Sequence, residues 1–381
     1  MVCMAGDFIY GAFDGGLSYM KTINVSLKEN SYRIFIGQNT LGKLGAYLKT
    51  LRLGKDAVVI TTSNIRRLHG KALVAGLERN GFSVKVFEVP DGERSKSAKY
   101  AFKLMEQIAR YDILKNVFIV AFGGGVIGDL AGYVAAAYKR GIPYVQVPTT
   151  FLAQIDSAIG GKVAIDLPVG KNLVGAFHQP KVVWSDVALL TTLSRRQLRN
   201  GMAEAVKYGV IADQRLFYYL FRNYNMVLDA DKKVLEEVVV QCSHIKTNVV
   251  LKDEKETKGI RTILNFGHTV GHAIEAAGGF SYYHHGEAIA LGMRVAADIS
   301  CQMRIFNNAD AALLNTLLTN IGLPQVIQKV KTQDILRLMQ HDKKFVAGRN
   351  RFVLAQRIGK VKVVEGVKTD VITSAIRRYK S

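Results

Sequence analysis

Cysteine is scarce in this 381-residue chain: Cys3, Cys242 and Cys301 are odd in number, far apart and never spaced as C-x-x-C. That excludes a disulfide framework and a cysteine zinc site as organising principles, and fits a reducing cytoplasm. Acidic charge is short as well. Asp and Glu total 31 against 52 Lys and Arg, a formal net charge of +21. Such a balance points to anionic partners: nucleic acid, acidic lipid, or a phosphorylated or carboxylated metabolite. Residues 1–20 carry no Lys or Arg but do carry Asp7 and Asp14, the wrong charge order for a secretory signal. The longest apolar run, Val117–Tyr138, has Asp129 as its only charge. Its Gly cluster and that central Asp argue against a lipid span; a buried parallel strand feeding a helix reads better. Internal repeats and low-complexity tracts are missing too.

What is present is an ordinary globular composition, 49% hydrophobic and 22% charged, in a chain long enough for a sizeable core. At about 150 residues per domain, two domains are expected. Residues 1–20 are Gly-rich and loosely patterned, and Met20 opens the first regular stretch. They are expected to be a flexible lead or a start assigned too far upstream. Residues 21–190 alternate β-branched runs (INVSL, YRIFIG, AVVITTS, SVKVFEVP, NVFIVAF, PYVQVP) with helical patterns (NIRRLHGKALVAGLERNG, SAKYAFKLMEQIARY, DLAGYVAAAYKRG). That alternation predicts βαβ units and a mostly parallel sheet. After Leu193 long helical patterns dominate, with a short β ribbon predicted in RFVLAQRIGKVKVVE. The domains are thus expected over 21–193, α/β, and 194–381, mainly α-helical.

The NVFIVAF strand runs into Gly123-Gly124-Gly125-Val126-Ile127-Gly128-Asp129, which satisfies G-x-G-x-x-G between a strand and a helix. Such a turn opens backbone amides, and the positive end of a helix, to a pyrophosphate. The ribose-binding acid usual about twenty residues on is missing: the next acid after Asp129 is Asp156. A tight strand–helix turn with no ligand is the alternative reading of the glycines.

Asn265-Phe-Gly-His268-Thr-Val-Gly-His272 puts two imidazoles one helical turn apart, and His284-His285-Gly-Glu287 follows. Four of the chain's eight histidines fall between 268 and 285. The GMAEAVKYG helix adds Glu204, with Lys207 on the same side. Two His and one carboxylate with a position left open is the ligand set of a catalytic zinc; core histidines beside a helix-surface Glu are the alternative. Spacing alone leaves open whether His272 or His284 is a ligand. Pro148-Thr149-Thr150 ends a strand at the carboxyl edge where α/β sheets bind ligands. Asp156, Gly160-Gly161-Lys162 and Gly170-Lys171-Asn172 follow, the lysines expected on loops where ammonium groups suit oxyanions. Arg261 and Lys246 extend the positive theme. The clusters at Arg195, Arg196 and Arg199, at Lys343-Lys344 and at Arg377-Arg378 read as solvated faces, Lys343 set apart.

Taken together, PDGERSK, FGGGVIGDLAGYVAAAYKRGI, VPTTFLAQIDSAIGGKVAIDLPVGKNLVGAFHQP, GMAEAVKYG, DEKETKGIRTILNFGHTVGHAIEA, HGEAIALGM and HDKK resemble the 3-dehydroquinate synthases, within the sugar-phosphate cyclases. The resemblance runs from Met20 to about Glu365. It implies a Rossmann-like α/β NAD-binding domain, a mainly α-helical metal-binding domain and a cleft between them. It matches Glu204, His268 and His285 to zinc ligands, with cobalt an alternative, and His272 to an active-site residue that is not a ligand. Lys162, Lys207, Lys246, Arg261, Asn265 and His272 match catalytic positions. Asp156, Lys171, Asn172 and Lys343 match substrate positions. Arg140 matches an arginine that reaches the neighbouring subunit's pocket, which implies a homodimer. Asn64, Glu93, Lys96, Gly124, Gly125, Val126, Asp129, Thr149, Thr150, Lys162, Lys171, Thr192 and Leu193 match NAD contacts. Thr62, Gln197 and His284 depart from the pattern, standing where an acid, a Glu and an apolar residue are usual.

The implied substrate is 3-deoxy-D-arabino-heptulosonate 7-phosphate, whose carboxylate and phosphate give part of the positive charge a purpose. The implied course is transient NAD-dependent oxidation at C5, β-elimination of phosphate, reduction at C5, ring opening and an intramolecular aldol closure. Rivals are a related cyclase acting on sedoheptulose 7-phosphate or glucose 6-phosphate, and a metal-dependent polyol dehydrogenase. A nucleic-acid binder would use the charge differently, but the sequence has no basic recognition helix or aromatic-and-basic ribbon. No nucleic-acid or membrane partner is expected.

Overall fold

The computed structural model describes residues 20–340 and 350–381. The expected lead, apart from Met20, and Lys343 lie outside the described residues. Two compact units result: one holds the described residues up to Leu193 with Leu235–Lys255, the other Ser194–Val234 and the described residues from Glu256 to Ser381. Sequence order alone would leave Leu235–Lys255 in the second unit. It groups with the first because ion pairs fasten it there: Glu237 lies 2.9 Å from Lys21, and Lys246 is paired with Asp156.

In the first unit, β1 (Lys21–Val25), β2 (Tyr32–Gly37), β3 (Asp56–Thr62), β4 (Ser83–Val89), β5 (Val117–Gly123) and β6 (Tyr144–Pro148) fall on the runs read as strands. A hairpin of β7 (Lys162–Leu167) and β8 (Gly170–Phe177) follows, then β9 (Val182–Asp186), which the pattern reading missed. The sheet order is β1-β2-β9-β6-β5-β3-β4, with β1 antiparallel and every other pair parallel. β3, β5, β6 and β9 are buried at every residue, as a sheet covered on both faces requires. Strand period two divides the core. Val59, Val120 and Val145 pack with Leu48, Leu73 and Leu77 on one face. Ile60, Ile119 and Ala121 pack with Leu104, Ile108, Leu130 and Val134 on the other.

This connectivity creates a crevice. From β3 the chain passes through the Lys71–Glu78 helix on the first face to β4; from β5 it passes through the Gly125–Ala137 helix on the second face to β6. Because β4 and β6 lie in opposite directions along the sheet, the carboxyl ends of β3 and β5 form a topological switch point, where such sheets bind ligands.

One expectation is corrected. Lys162, Lys171 and Asn172 do not lie on loops; they belong to the β7–β8 ribbon. Val163 and Ile165 alternate inward and are buried in the second-face core, pinning the ribbon there. Gly160 and Gly161, at φ 98° and 67°, lead into the ribbon, and Pro168 and Val169 make the turn between its strands.

The second unit contains helices Arg195–Ile211, Gln214–Leu228, His268–Ala277, His285–Gln302, Asn308–Asn320, Thr332–Gln340 and Thr369–Arg378, and the predicted ribbon, antiparallel β10 (Arg351–Arg357) and β11 (Lys360–Glu365). Gln214–Leu228 was not anticipated, since its run of aromatics has modest helix propensity. Packing overrides that: Leu216, Phe217, Leu220, Val227 and Leu228 are buried. Gln197 closes a capping box with Ser194, so it serves the cap as a Glu would. Among the described residues no helix is long and apolar enough to cross a membrane.

Candidate active site

The first unit gathers its predicted residues around the glycine turn. The Gly125–Ala137 helix begins after Gly124, an N-cap residue with no side chain to cap its first amides. A Cβ on Gly124 would lie 3.0 Å from Thr150 Cγ2, and one on Gly125 3.0 Å from Ser157 Oγ. The amide of Thr149 donates to Gly123 O at 2.9 Å, and Thr150 Oγ1 accepts from Ala153 N. Bare backbone at a helix N-terminus, on a switch point, fits a pyrophosphate. Asn64 follows β3 on the other side of that crevice, its Oδ1 accepting from Arg67 at 2.9 Å.

Beside the turn, Lys96 is buried, lies 2.6 Å from Asp129 Oδ2 and also bonds Asn172. Asn172 N donates to Asp166 Oδ1, and Lys171 lies 3.6 Å from Glu93. Burial pushes the Asp129 carboxyl up, against the pull of Lys96. Burial likewise pushes Glu93 up, against Lys171 and Lys96. Lys246 donates to the Asp156 carbonyl at 2.5 Å and pairs with its carboxylate. Thr192 lies 3.0 Å from His69 Nε2, just before Leu193, and Lys162 is exposed at the start of β7. Arg140 does not join this group. It follows the far end of the Gly125–Ala137 helix, about 20 Å from the glycine turn by helical rise.

The second unit supplies a compact trio. Ligand atoms of Glu204, His268 and His285 lie within 4.8 Å of one another. His268 Nε2 and His285 Nε2 each stand 3.4 Å from Glu204 Oε1. Glu204 is fully buried, which removes the helix-surface alternative. Burial alone would raise its carboxyl, but Lys207, His268 and His285 hold it well below the usual range. Burial would lower the His285 imidazole, yet the carboxylates of Glu204 and Glu275 push it up to about 10. The Nδ1–H of His268 donates to Phe266 O at 3.1 Å, which leaves its Nε2 directed at the Glu204 carboxylate. Protonated, the two imidazoles pair with Glu204; deprotonated, they and the carboxylate would converge two nitrogens and an oxygen on one point, a donor set that fits zinc or a similar divalent ion.

His272, on the same helix, is exposed with its ring 5.1 Å from that of His268. His284 is exposed at the N-cap of the His285–Gln302 helix, its amide donating to Glu287; it is not in the trio. Arg261 is buried, and Asn265 ends the same short turn, Ile260–Asn265. Glu275 and Asp166 were missed by the sequence reading. Glu275 follows His268 by seven residues on one helix face, a spacing that could have flagged it; nothing local marked Asp166.

Family models described as 3-dehydroquinate synthase N-terminal and C-terminal match residues 86–200 and 201–345. A 3-dehydroquinate synthase of Desulforamulus reducens is 44% identical over 350 residues, covering 92% of this chain and 97% of that protein. One of Symbiobacterium thermophilum is 45% identical over 360 residues, covering 93% and 100%. Among solved structures, a 2-deoxy-scyllo-inosose synthase complexed with carbaglucose-6-phosphate, NAD+ and Co2+ superposes with a TM-score of 0.86 at 29% identity, over 94% of this chain and all of that one. With both family models matched in order and relatives this similar aligned over nearly their whole length, the chain belongs to the 3-dehydroquinate synthase family.

Proposed function

We propose that this chain is a lyase of the shikimate pathway, converting 3-deoxy-D-arabino-heptulosonate 7-phosphate to 3-dehydroquinate and phosphate on the way to chorismate and the aromatic amino acids. The observation that carries this reading is the Glu204, His268 and His285 trio in a chain that aligns over 92% of its length with a 3-dehydroquinate synthase.

In this reading Glu204, His268 and His285 hold a divalent cation, zinc with cobalt able to replace it, and the glycine turn with Asn64, Glu93, Lys96, Asp129, Thr149, Thr150, Thr192 and Leu193 holds NAD. When bound, the two supply a Lewis acid and a reversible hydride acceptor. The chain's own residues bind and orient the sugar. Lys162, Lys171, Asn172, Lys246, Arg261 and Lys343 answer its carboxylate and phosphate with ammonium, amide and guanidinium groups. Holding both ends keeps the reacting carbons in place through several steps. Asp156, Lys207 and Asn265 complete the polar lining. His272 takes and returns the proton of the C5 hydroxyl, a task suited to imidazole near neutrality. The departing phosphate itself removes the C6 proton, so no protein carboxylate has to act as that base. The working form is a cytoplasmic homodimer, Arg140 reaching into the neighbouring protomer's pocket.

Phosphate release tests the reading. The heptulosonate phosphate should release phosphate only with NAD+ and without chelator, and reduced cofactor should not accumulate. Equal release from sedoheptulose 7-phosphate or glucose 6-phosphate, or stoichiometric reduced NAD, would reject it.

A further inference from the structure

His285 is shared by two carboxylates. Its Nε2 lies 3.4 Å from Glu204 Oε1 and its Nδ1 lies 3.3 Å from Glu275 Oε2. Two trios can therefore be drawn through it: Glu204, His268 and His285, or His272, Glu275 and His285. A neutral imidazole has one lone pair and one N–H, so it cannot ligate a cation through both nitrogens. His268 indicates which way the site is wired. Its Nδ1–H goes to the Phe266 carbonyl at 3.1 Å and its Nε2 turns to Glu204. His285 repeats the arrangement if its Nδ1–H goes to Glu275. The Glu275 side chain is only 9% exposed. It projects from the same face of the His268–Ala277 helix as His268 and His272, so the fold holds it behind His285.

We propose that Glu275 is a positioning residue of the cation site, fixing the tautomer and orientation of His285 rather than ligating an ion. This rests on reading Glu204, His268 and His285 as the ligands. A carboxylate behind a ligating imidazole keeps the lone pair on the nitrogen facing the ion and raises its basicity, and losing it typically costs 10–100-fold in metal affinity.

The test is Co2+ titration of the metal-stripped full chain, followed by ligand-field absorption, with Zn2+ affinity measured by chelator competition. The wild type should bind one equivalent. Glu275→Ala should weaken binding about 10–100-fold and alter the Co2+ spectrum, while its unfolding transition without metal stays cooperative. Glu275→Gln keeps an acceptor oxygen and should recover part of that affinity; should the alanine variant not fold, affinity equal to wild type in Glu275→Gln together with an unchanged spectrum overturns the proposal. Unchanged affinity in Glu275→Ala overturns it too, while the trio stands. A second bound equivalent that Glu275→Ala removes would make Glu275 a ligand and also overturn it. A wild type that binds no cation, or a His268→Ala variant that binds as tightly as wild type, would instead reject the trio.

Discussion

Lys207 forms an ion pair with Glu204 three residues before it, and both side chains are almost wholly out of solvent, 2% and 0% exposed. A buried charge is tolerable only where it is paired, and here one carboxylate answers both a lysine and two imidazoles. Lys207→Ala should therefore destabilise the protein, by less than the roughly 3–5 kcal/mol of a wholly uncompensated buried charge because His268 and His285 still face Glu204, measured by urea unfolding. Adding Glu204→Gln should return part of that loss, because the carboxylate left with fewer cationic partners goes with it. Additive losses would show that the two residues do not share their burial cost.

His268→Ala should lose bound cation and activity together. Chelation of the wild type should do the same, and re-addition of Zn2+ or Co2+ should restore turnover. Metal analysis beside a phosphate-release assay checks this, and full activity in stripped protein would end the cation's role.

Lys162→Ala should chiefly damage substrate use. Its backbone is held by the β7–β8 pairing whatever its side chain, so folding should be unaffected. Steady-state kinetics should show kcat/KM falling by tenfold or more, the order expected for losing a charge-assisted contact worth about 1.5–3 kcal/mol. Unchanged kinetics would remove it from the pocket.

Lys21 and Glu237 give a pH test away from the chemistry. Burial raises the Glu237 carboxyl, but Lys21 and Gln241 outweigh it and hold the group below its ordinary 4.5. A depressed folded-state value means the stabilisation is complete above 4.5 and disappears as pH falls through the lower, folded value. The pair is partly exposed, so Lys21→Met should cost no more than about 1 kcal/mol at pH 7. The Tm gap to wild type should close in acid; a gap that widens below pH 4 would contradict the assignment.

The order of α/β and helical segments, the glycine turn and the histidine density could be read from the chain alone. Each is a local pattern: strand and helix periods, glycines between a strand and a helix, ligand-bearing residues within a few turns. Local pattern did not reveal β9, which follows β8 with no helical pattern between them to set it off, or the β7–β8 ribbon, whose glycines read as loops. Nor did it show that Leu235–Lys255 joins the first unit, that β3 and β5 part to open a crevice at Thr62 and Gly123, or that Glu204 is buried against His268 and His285. His272 and His284 were equally placed as ligands by spacing. Direction in space separates them: one is exposed on the helix after His268, the other caps a helix and faces solvent. Those outcomes depend on contacts between residues tens of positions apart, and only the packed chain, not the period of its side chains, sets such contacts.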